Sequence, residues 1–233
     1  LAANPSSRTE IYSSLFEEER LGWGNGGALL NQGGSMSVET SRFTKCRGYF
    51  SCAYPSNKWN GGAIHSNGGQ TNITKCTFDH NFAYTGGGAM SFTGGNKANV
   101  VMSNFFNNTV DDHIKGDESY DGPNKIYSCY GQGNGGAIYV EGDGTMVSIS
   151  HCIFDGNRGG AHGRHEEGEG GAVYIGKGSS ATIVDTMFSR NKATRGAGVH
   201  VKNDALTVVI ESSTFLLNRA TPMRCVVAVT VPV

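Results

Sequence analysis

The sequence predicts an all-β fold: a single-stranded parallel β-helix (solenoid) of about six coils with a short N-terminal capping segment. Three observations lead to this prediction. A glycine-pair element recurs along the chain, a Phe-x-x-Asn element follows each copy 17 to 19 residues later, and residues typical of β-strands lie between the two. Self-similarity at such a period is typical of a solenoid, in which each coil is too small to bury its own apolar side and stacks on its neighbours.

The glycine-pair element sets the period of the repeat. Its copies begin at Gly26, Gly61, Gly87, Gly135 and Gly170, and a degraded copy, GAGV, begins at Gly196. The steps are 35, 26, 48, 35 and 26 residues, so the shortest spacing is one coil and the longer ones are a coil plus an insertion. We expect the glycines at corners where φ is positive or a Cβ would clash.

Residues at matching positions form columns that should stack along the axis. The phenylalanine column, predicted to be an internal aromatic stack, contains Phe43, Phe78, Phe105, Phe154, Phe188 and Phe215. Three positions later is the column predicted to be an amide ladder, with Cys46 in the first copy and then Asn81, Asn108, Asn157, Asn191 and Asn218. Five positions before each Phe, every residue is β-branched: Val38, Ile73, Val100, Ile149, Ile183 and Ile210.

These GGAI, GGAM and GGAV elements with FxxN resemble the repeats of the polymorphic outer-membrane proteins first recognised in chlamydiae. The resemblance covers about residues 24–218. It implies a right-handed parallel β-helix that forms the exposed, adhesive part of a surface protein. The chlamydial proteins continue into a translocating membrane barrel, and nothing in this sequence matches that barrel. Cys46 and the copy at Gly196 depart from the repeat pattern.

The segments on either side of the repeats, which span residues 24–219, are expected to play different roles. Residues 1–23 form the predicted N-terminal cap, where Ser14–Glu17 resembles a capping box and Leu15–Leu21 suggests a short helix. Residues 220–233 end in CVVAVTVPV, an apolar and β-prone run that should pair with the last coil, with further chain or with another subunit. The chain begins without Met or a signal-like region, which indicates a processed chain or part of one.

The composition agrees with a solenoid, and the net charge limits the kinds of partner that we expect. Glycine accounts for 35 of 233 residues, about double the usual share, and hydrophobic residues for only 37%. A net charge of −1 gives no reason to expect nucleic acid, and no apolar run is long enough for a membrane-spanning helix. We expect the partner to be another copy of the chain, or a protein or glycan on a host or cell surface.

Three insertions expand the same corner of the repeat. They span residues 47–60, with Tyr49, Phe50, Tyr54 and Trp59; residues 109–134, with Asp111, Asp112, His113, Asp117, Glu118 and Asp121; and residues 158–169, with His162, His165, Glu166, Glu167 and Glu169. Stacking would place all three along one edge of the rod. Insertions in solenoids often form a binding face, so this edge is the predicted functional surface.

Two further features are compatible with an extracellular protein. Asn72 and Asn107 each begin an N-glycosylation motif and should point outward from the coils. Among the six cysteines, Cys46 and Cys52 flank a short loop and are the candidates for a disulfide, whereas Cys76 and Cys152 fall in an inward column and are expected to be buried thiols.

An enzyme is the alternative hypothesis, because polysaccharide lyases and hydrolases also use parallel β-helices. Such a site would need converging carboxylates, and the first suspects are Asp79, His80 and Asp155. Asp79 and Asp155 share a column but lie two coils apart, ~10 Å, with Phe106 between them. The acidic and histidine clusters of the insertions lack zinc or EF-hand spacing, so no metal or cofactor is expected. The sequence therefore favours a non-enzymatic, extracellular rod that acts as an adhesin or as the subunit of a fibre.

Overall fold

The computed structural model describes residues 2–3, 7–21, 25–48, 60–110, 113–114, 129–130, 133–160 and 168–220. These residues wind through seven stacked coils, and successive coils pair through parallel strands. No helix occurs in this part of the chain. The structure confirms the predicted all-β parallel β-helix.

Each coil contributes strands to sheets that run along the axis. Sheet A contains Ala2–Ala3, Leu29–Gln32, Ile64–Asn67, Met90–Thr93, Ile138–Val140, Val173–Ile175 and Val199–Val201. Sheet B contains Arg8–Tyr12, Ser35–Glu39, Gln70–Thr74, Lys97–Val101, Met146–Ser150, Ser180–Val184 and Thr207–Glu211. Sheet C contains Leu15–Glu17, Arg42–Thr44, Thr77–Asp79, Asn104–Phe106, Ile153–Asp155, Met187–Ser189 and Thr214–Leu216.

A fourth set of short strands, sheet D, closes most of the coils. Its strands are Arg20–Leu21, Arg47–Gly48, Phe82–Ala83, Thr109–Val110, Lys192–Ala193 and Arg219–Ala220. Single parallel bridges from Arg158 to Thr109 and Lys192 connect its two halves. A separate antiparallel pair, His113–Ile114 with Cys129–Tyr130, lies within the second insertion.

The N-terminal segment forms a coil of its own, which brings the number of coils to seven. Residues 15–17 form a strand that pairs with Arg42–Thr44, so the expected helix at 15–21 is wrong. Phe16 stacks on Phe43, and Ile11 pairs with Val38. Alignment with these two inward columns outweighed the local helix signal, because each apolar side chain gains a partner in the next coil.

A continuous aromatic stack fills the interior beside sheet C. Neighbouring rings from Phe16 to Phe215 lie nearly parallel, with centroids 4.5–5.0 Å apart. The five phenylalanines of the middle coils have no exposed surface: Phe43, Phe78, Phe105, Phe154 and Phe188. The ring spacing follows the coil spacing, because one Phe projects inward at the same position of every coil.

The asparagines of the Phe-x-x-Asn element form an amide ladder. Asn108 is typical: its backbone N–H and its Nδ2 both donate to Oδ1 of Asn157, each at 3.0 Å. Nδ2 of Asn108 also donates to the carbonyl oxygen of Phe78 in the preceding coil. Each buried amide is thus satisfied by the coils above and below, which is what burial of a polar group requires.

The glycine pair is explained by how closely two coils approach at the corner. Gly135 has a φ of +68°, a conformation that favours glycine. A Cβ on Gly136 would lie 2.1 Å from the carbonyl oxygen of Gly171 in the next coil. In the GAGV copy, alanine replaces the second glycine at Ala197, and no further coil lies below it in the described chain.

Two residues of almost every coil adopt the left-handed backbone conformation without being glycine. Thirteen such residues have φ between 46° and 54°, and they lie three positions before or two positions after the stacked Phe. Met102 and Leu217 are among them, although such side chains rarely take this conformation. In the coil of Phe154, the residue two positions after the stacked Phe is a glycine, Gly156. The types of residue at these positions share no pattern, so the sequence did not indicate these two bends.

Candidate functional site

The three insertions leave and re-enter the stack at one corner, between sheets D and A. The first leaves after Arg47–Gly48 and returns at Asn60, which bridges to Gly86 in the next coil. The others leave after Thr109–Val110 and Arg158 and return at Asn134 and Glu169. Their flanks therefore follow a single edge, as predicted. Most of the predicted aromatic, acidic and histidine residues of the insertions lie outside the described residues.

Asparagines at the re-entry corner tie neighbouring coils together. Oδ1 of Asn25 accepts from the backbone N–H of Asn60 at 2.6 Å, and Oδ1 of Asn134 accepts from that of Glu169 at 3.1 Å. Both Asn60 and Asn134 are buried. This second column was missed in the sequence analysis, although the recurring Asn-Gly-Gly triplet is a visible signal for it.

The outer face of sheet A carries an unusual column beside the insertion edge. The side chains in register along it are Leu30, His65, Ser91, Tyr139, Tyr174 and His200. The rings of Tyr139 and Tyr174 stack with centroids 5.2 Å apart, and His200 stacks on Tyr174 at 5.7 Å. Tyr139 and Tyr174 are buried although they project away from the interior of the coils.

His65 and Ser91 form a hydrogen-bonded pair within this column. His65 Nδ1 lies 2.5 Å from Ser91 Oγ, and both side chains are buried. Burial lowers the pKa of His65 to about 4, so the imidazole is neutral at physiological pH. The bond satisfies two buried polar groups, and Ser91 has no exposed surface from which to attack a substrate.

Acidic groups border the same column. The Tyr139 hydroxyl donates to the Glu141 carboxylate, and burial together with this carboxylate raises the pKa of Tyr139. Glu169 accepts from Arg195 at 2.9 Å and lies 3.5 Å from His200 Nε2. Burial lowers the pKa of His200, while Glu169 acts in the opposite direction. The result is an aromatic and acidic strip parallel to the insertion edge. This column was not identified from the sequence, although its members follow one position after the inward residue at the start of each sheet A strand.

The suspected catalytic carboxylates are held by cations. Asp79 and Asp155 lie on either side of Phe106 in one outer column of sheet C. The Arg190 guanidinium bonds both oxygens of Asp155 and, with Ser189, lowers the pKa of that carboxyl. Asp79 contacts His80 at 2.7 Å and Arg42 at 3.6 Å.

The two glycosylation motifs and the suggested disulfide fall in contrasting environments. Asn72 and Asn107 are both exposed, Asn72 on the outer face of sheet B and Asn107 just after sheet C. Cys46, in contrast, is a free thiol with no exposed surface. Burial raises its pKa to about 11, and its Sγ donates to the Phe16 carbonyl at 3.6 Å, as a ladder asparagine would. Cys52 lies outside the described residues, so the suggested bond between Cys46 and Cys52 stays a prediction, which the buried thiol of Cys46 does not favour.

No group of three or more His, Cys, Asp or Glu side chains among the described residues is placed to hold a metal ion. The described part of the chain also contains no helix with the length and hydrophobicity needed to span a bilayer.

Comparison with known proteins identifies the repeat. No curated protein and no solved structure matches the chain. Residues 103–141 match the model of the Chlamydia polymorphic membrane protein repeat. The matched residues begin at Ser103, just before the sheet C strand Asn104–Phe106, and include the second insertion. They end just after the sheet A strand Ile138–Val140 of the next coil. The chain therefore contains the polymorphic membrane protein repeat that its GGAI and FxxN elements suggested.

Proposed function

We propose that the chain is a non-enzymatic, extracellular surface protein, a stiff rod that presents its expanded corner to a partner as an adhesin. The observation that carries the proposal is the position of the three insertions. All of them interrupt the coil at one corner, while the strands on either side keep their register. A regular scaffold with variable segments on one edge is how solenoids commonly build a binding face.

Two further observations support this proposal. The phenylalanine stack runs without a break from Phe16 to Phe215, and the amide ladder runs without a break from Asn81 to Asn218, which favours a rigid rod over a flexible chain. The repeat match points to a protein associated with a cell surface or outer membrane. The partner we propose is a protein or glycan on a host or neighbouring cell.

Replacing an insertion tests the adhesive role. In the third coil, Phe82 and Gly86 occupy the positions that Arg47 and Asn60 occupy in the second coil, so the short connection between Phe82 and Gly86 should fit there. We expect this exchange to abolish binding to cells or to a glycan array without unfolding the rod. An exposed substitution on sheet B, Asn99→Ala, is the control. Unchanged binding after replacement of all three insertions would contradict the proposal.

A fibre subunit is the second candidate function, favoured by an exposed aromatic side chain in the last described coil. Phe215 is 47% exposed, whereas Phe188 in the coil above has no exposed surface. A half-exposed aromatic core residue at a strand edge favours association. Concentration-dependent filaments in electron micrographs of the purified chain would support this role.

The ion pairs of Asp79 and Asp155 favour a structural role over an enzyme. A general acid in a glycosidase needs a raised pKa, whereas Arg190 lowers the pKa of Asp155. Turnover of a uronic-acid polymer that is lost in Asp79→Ala or Asp155→Ala would support a polysaccharide lyase or hydrolase instead.

Glycosylation of the rod is a related proposal. Asn72 and Asn107 are exposed, and the motif at Asn72 lies in an extended strand. Expression in a eukaryotic secretory host should add a glycan at each site, and Asn72→Gln should remove the mass of one.

A further inference from the structure

We propose that sheet D binds a linear acidic polysaccharide along its outer face, through a row of arginine and lysine side chains. This inference rests on the adhesive role proposed above and names the chemical class of the partner. The surface is formed by the first residue of each sheet D strand and by Arg158, which bridges the two halves of that sheet. We call it the basic column, and its members are Arg20, Arg47, Phe82, Thr109, Arg158, Lys192 and Arg219.

Strand pairing aligns the members of the basic column, one in each described coil. Arg20 pairs with Arg47, and Lys192 pairs with Arg219. A parallel bridge joins Arg158 to Lys192, so three consecutive coils carry a cation at this position. Neighbouring parallel strands lie ~4.8 Å apart, and the cations repeat at that distance along the rod. Five of the seven positions thus hold Arg or Lys, although the chain as a whole has a net charge of −1.

The side chains of the basic column point away from the interior. All five of its cations are exposed, and Phe82 and Thr109 are half-buried. In the five coils from Arg47 to Lys192, the residue after the column member is glycine, alanine or valine and is buried, as Ala193 is after Lys192. Because side chains alternate along a strand, burial of the second residue turns the first one outward.

Positive charge is in excess around the last three members of the column. In the same coils, Asp155 is held by Arg190, which binds both of its oxygens. Lys192 and Arg219, by contrast, form no ion pair with any described residue. Their charge is therefore available to an anionic partner.

The first members of the column are closer to neutral. Three carboxylates, Glu17–Glu19, precede Arg20, and Lys45 holds Glu18 at 3.1 Å. The Lys45 ammonium lowers the pKa of Glu18, and Arg20 and Arg47 add to this effect. The proposed site is therefore centred on the three consecutive cations of the fifth to seventh coils.

A row of like charges at one spacing fits a polymer that repeats its own charge. In an extended acidic peptide, side chains on one face lie about 6.6–6.8 Å apart, so they fall out of step with coils that are ~4.8 Å apart. One sugar unit of an extended polysaccharide has a length close to the coil spacing. Its carboxylate or sulfate groups can each accept two parallel hydrogen bonds from an Arg guanidinium. The spacing therefore favours an acidic polysaccharide over an acidic protein.

Nucleic acids and membranes fit the column less well. The excess charge is one residue wide, because the carboxylates on its two sides, Asp155 and Glu169, are each held by an arginine. A duplex or an anionic bilayer would cover these neutral flanks without gaining contacts there. Single-stranded nucleic acid is bound through aromatic residues on which its bases stack. The aromatic member of the column, Phe82, already has the Arg47 guanidinium 6.0 Å from its ring centroid.

The test measures binding of the full chain to immobilised heparin, a sulfated glycan, and to polygalacturonate, a carboxylated one, at low and at physiological ionic strength. Lys192→Gln/Arg219→Gln removes two cations and should weaken binding to at least one of these glycans about three- to thirtyfold. The slope of log K against log salt should also become shallower by about 0.7 for each lost cation. Lys75→Gln/Lys97→Gln, a matched charge change on exposed residues of the third and fourth coils away from the column, is the control and should bind like the wild type.

Three results would overturn the proposal. Equal weakening by the column variant and the control variant would mean that the glycans respond to overall charge and not to the basic column. Absence of binding to both glycans at low ionic strength would remove the site altogether. Tighter binding to a single-stranded DNA oligonucleotide or to anionic vesicles than to either glycan would assign the column to another class of partner.

The same measurements separate this site from the adhesive role. A chain with all three insertions replaced keeps the basic column, so it should still bind heparin at low ionic strength although it no longer binds cells at physiological ionic strength. Loss of heparin binding in that chain would place the glycan contact in the insertions and overturn this site, while the adhesive role would stand. Cell binding that survives the replacement would contradict the adhesive role, and heparin binding of Lys192→Gln/Arg219→Gln would still decide on the basic column.

Discussion

Replacing Asn157 by leucine tests whether the amide ladder stabilises the stack. The Asn157 side chain accepts from the backbone N–H and from Nδ2 of Asn108, and it donates to the Phe105 carbonyl and to Asn191 Oδ1. All of these groups are buried, and Asn157 itself has no exposed surface. Leucine has the same branched shape but is larger and has no polar atom, so the substitution removes the partner of two N–H groups of Asn108 and of the Phe105 carbonyl.

The size of the effect follows from those three groups. A buried polar group without a partner is destabilising by about 1–3 kcal/mol. Three of them therefore predict a loss of about 3–9 kcal/mol, a large part of the 5–15 kcal/mol that is typical of a folded domain. Relaxation of the stack and entry of water favour the lower half of that range. We expect the chain to be strongly destabilised or to lose its last coils at low denaturant.

Urea unfolding followed by circular dichroism is the assay, with Asn99→Leu as the matched control. Asn99 lies on the exposed outer face of sheet B, so the same substitution there should change the free energy of unfolding by no more than about 0.5 kcal/mol. A solenoid can unfold in parts, so the slope of the transition is compared as well as its midpoint. Equal midpoints for the two variants would refute the role assigned to the ladder.

Three other predictions address the corner, the bends and the core. Gly136→Ala places a Cβ 2.1 Å from the Gly171 carbonyl oxygen, so it should sharply lower the midpoint of urea unfolding. An unchanged midpoint would mean that the corner is not tightly packed. Met102 is a left-handed residue (φ 48°) whose side chain is 51% exposed, so Met102→Gly should relieve backbone strain and raise the free energy of unfolding by about 0.5–1 kcal/mol. The same urea assay measures it, and a loss of stability would show that the Met102 side chain stabilises the bend. Burial raises the pKa of the Cys46 and Cys152 thiols to about 11, so both should resist alkylation at pH 8 in the native chain and react in urea. Peptide mapping that finds Cys46 alkylated in the native chain would contradict its burial.

The amino-acid sequence is sufficient to predict the stacked interior of the fold. In a parallel β-helix, a residue meets the residue one coil away, so each column repeats its own type, as Phe78 repeats Phe105. The pattern is read directly from spacing, and no knowledge of loops or chain direction is needed. The same logic predicts that the three insertions lie at one corner.

The first coil differs from what the sequence predicts. Ile11, Ser14 and Phe16 have the column spacing of every other copy, but no glycine pair precedes them. Without that glycine pair these residues resemble a cap, and the local Leu-Phe-Glu-Glu pattern suggests a helix. Pairing with the second coil decides otherwise, because a strand there buries Phe16 against Phe43.

The sequence by itself determined the period, the inward columns and the corner that carries the insertions, because each depends on repetition at one spacing. Only the tertiary structure decided the two left-handed bends, the burial of His65 and Tyr139 on the outer face, and the free thiol of Cys46. These depend on contacts between chain segments that share no pattern of residues. Neighbouring coils fix the backbone at the bends through hydrogen bonds, and almost any side chain then tolerates the conformation.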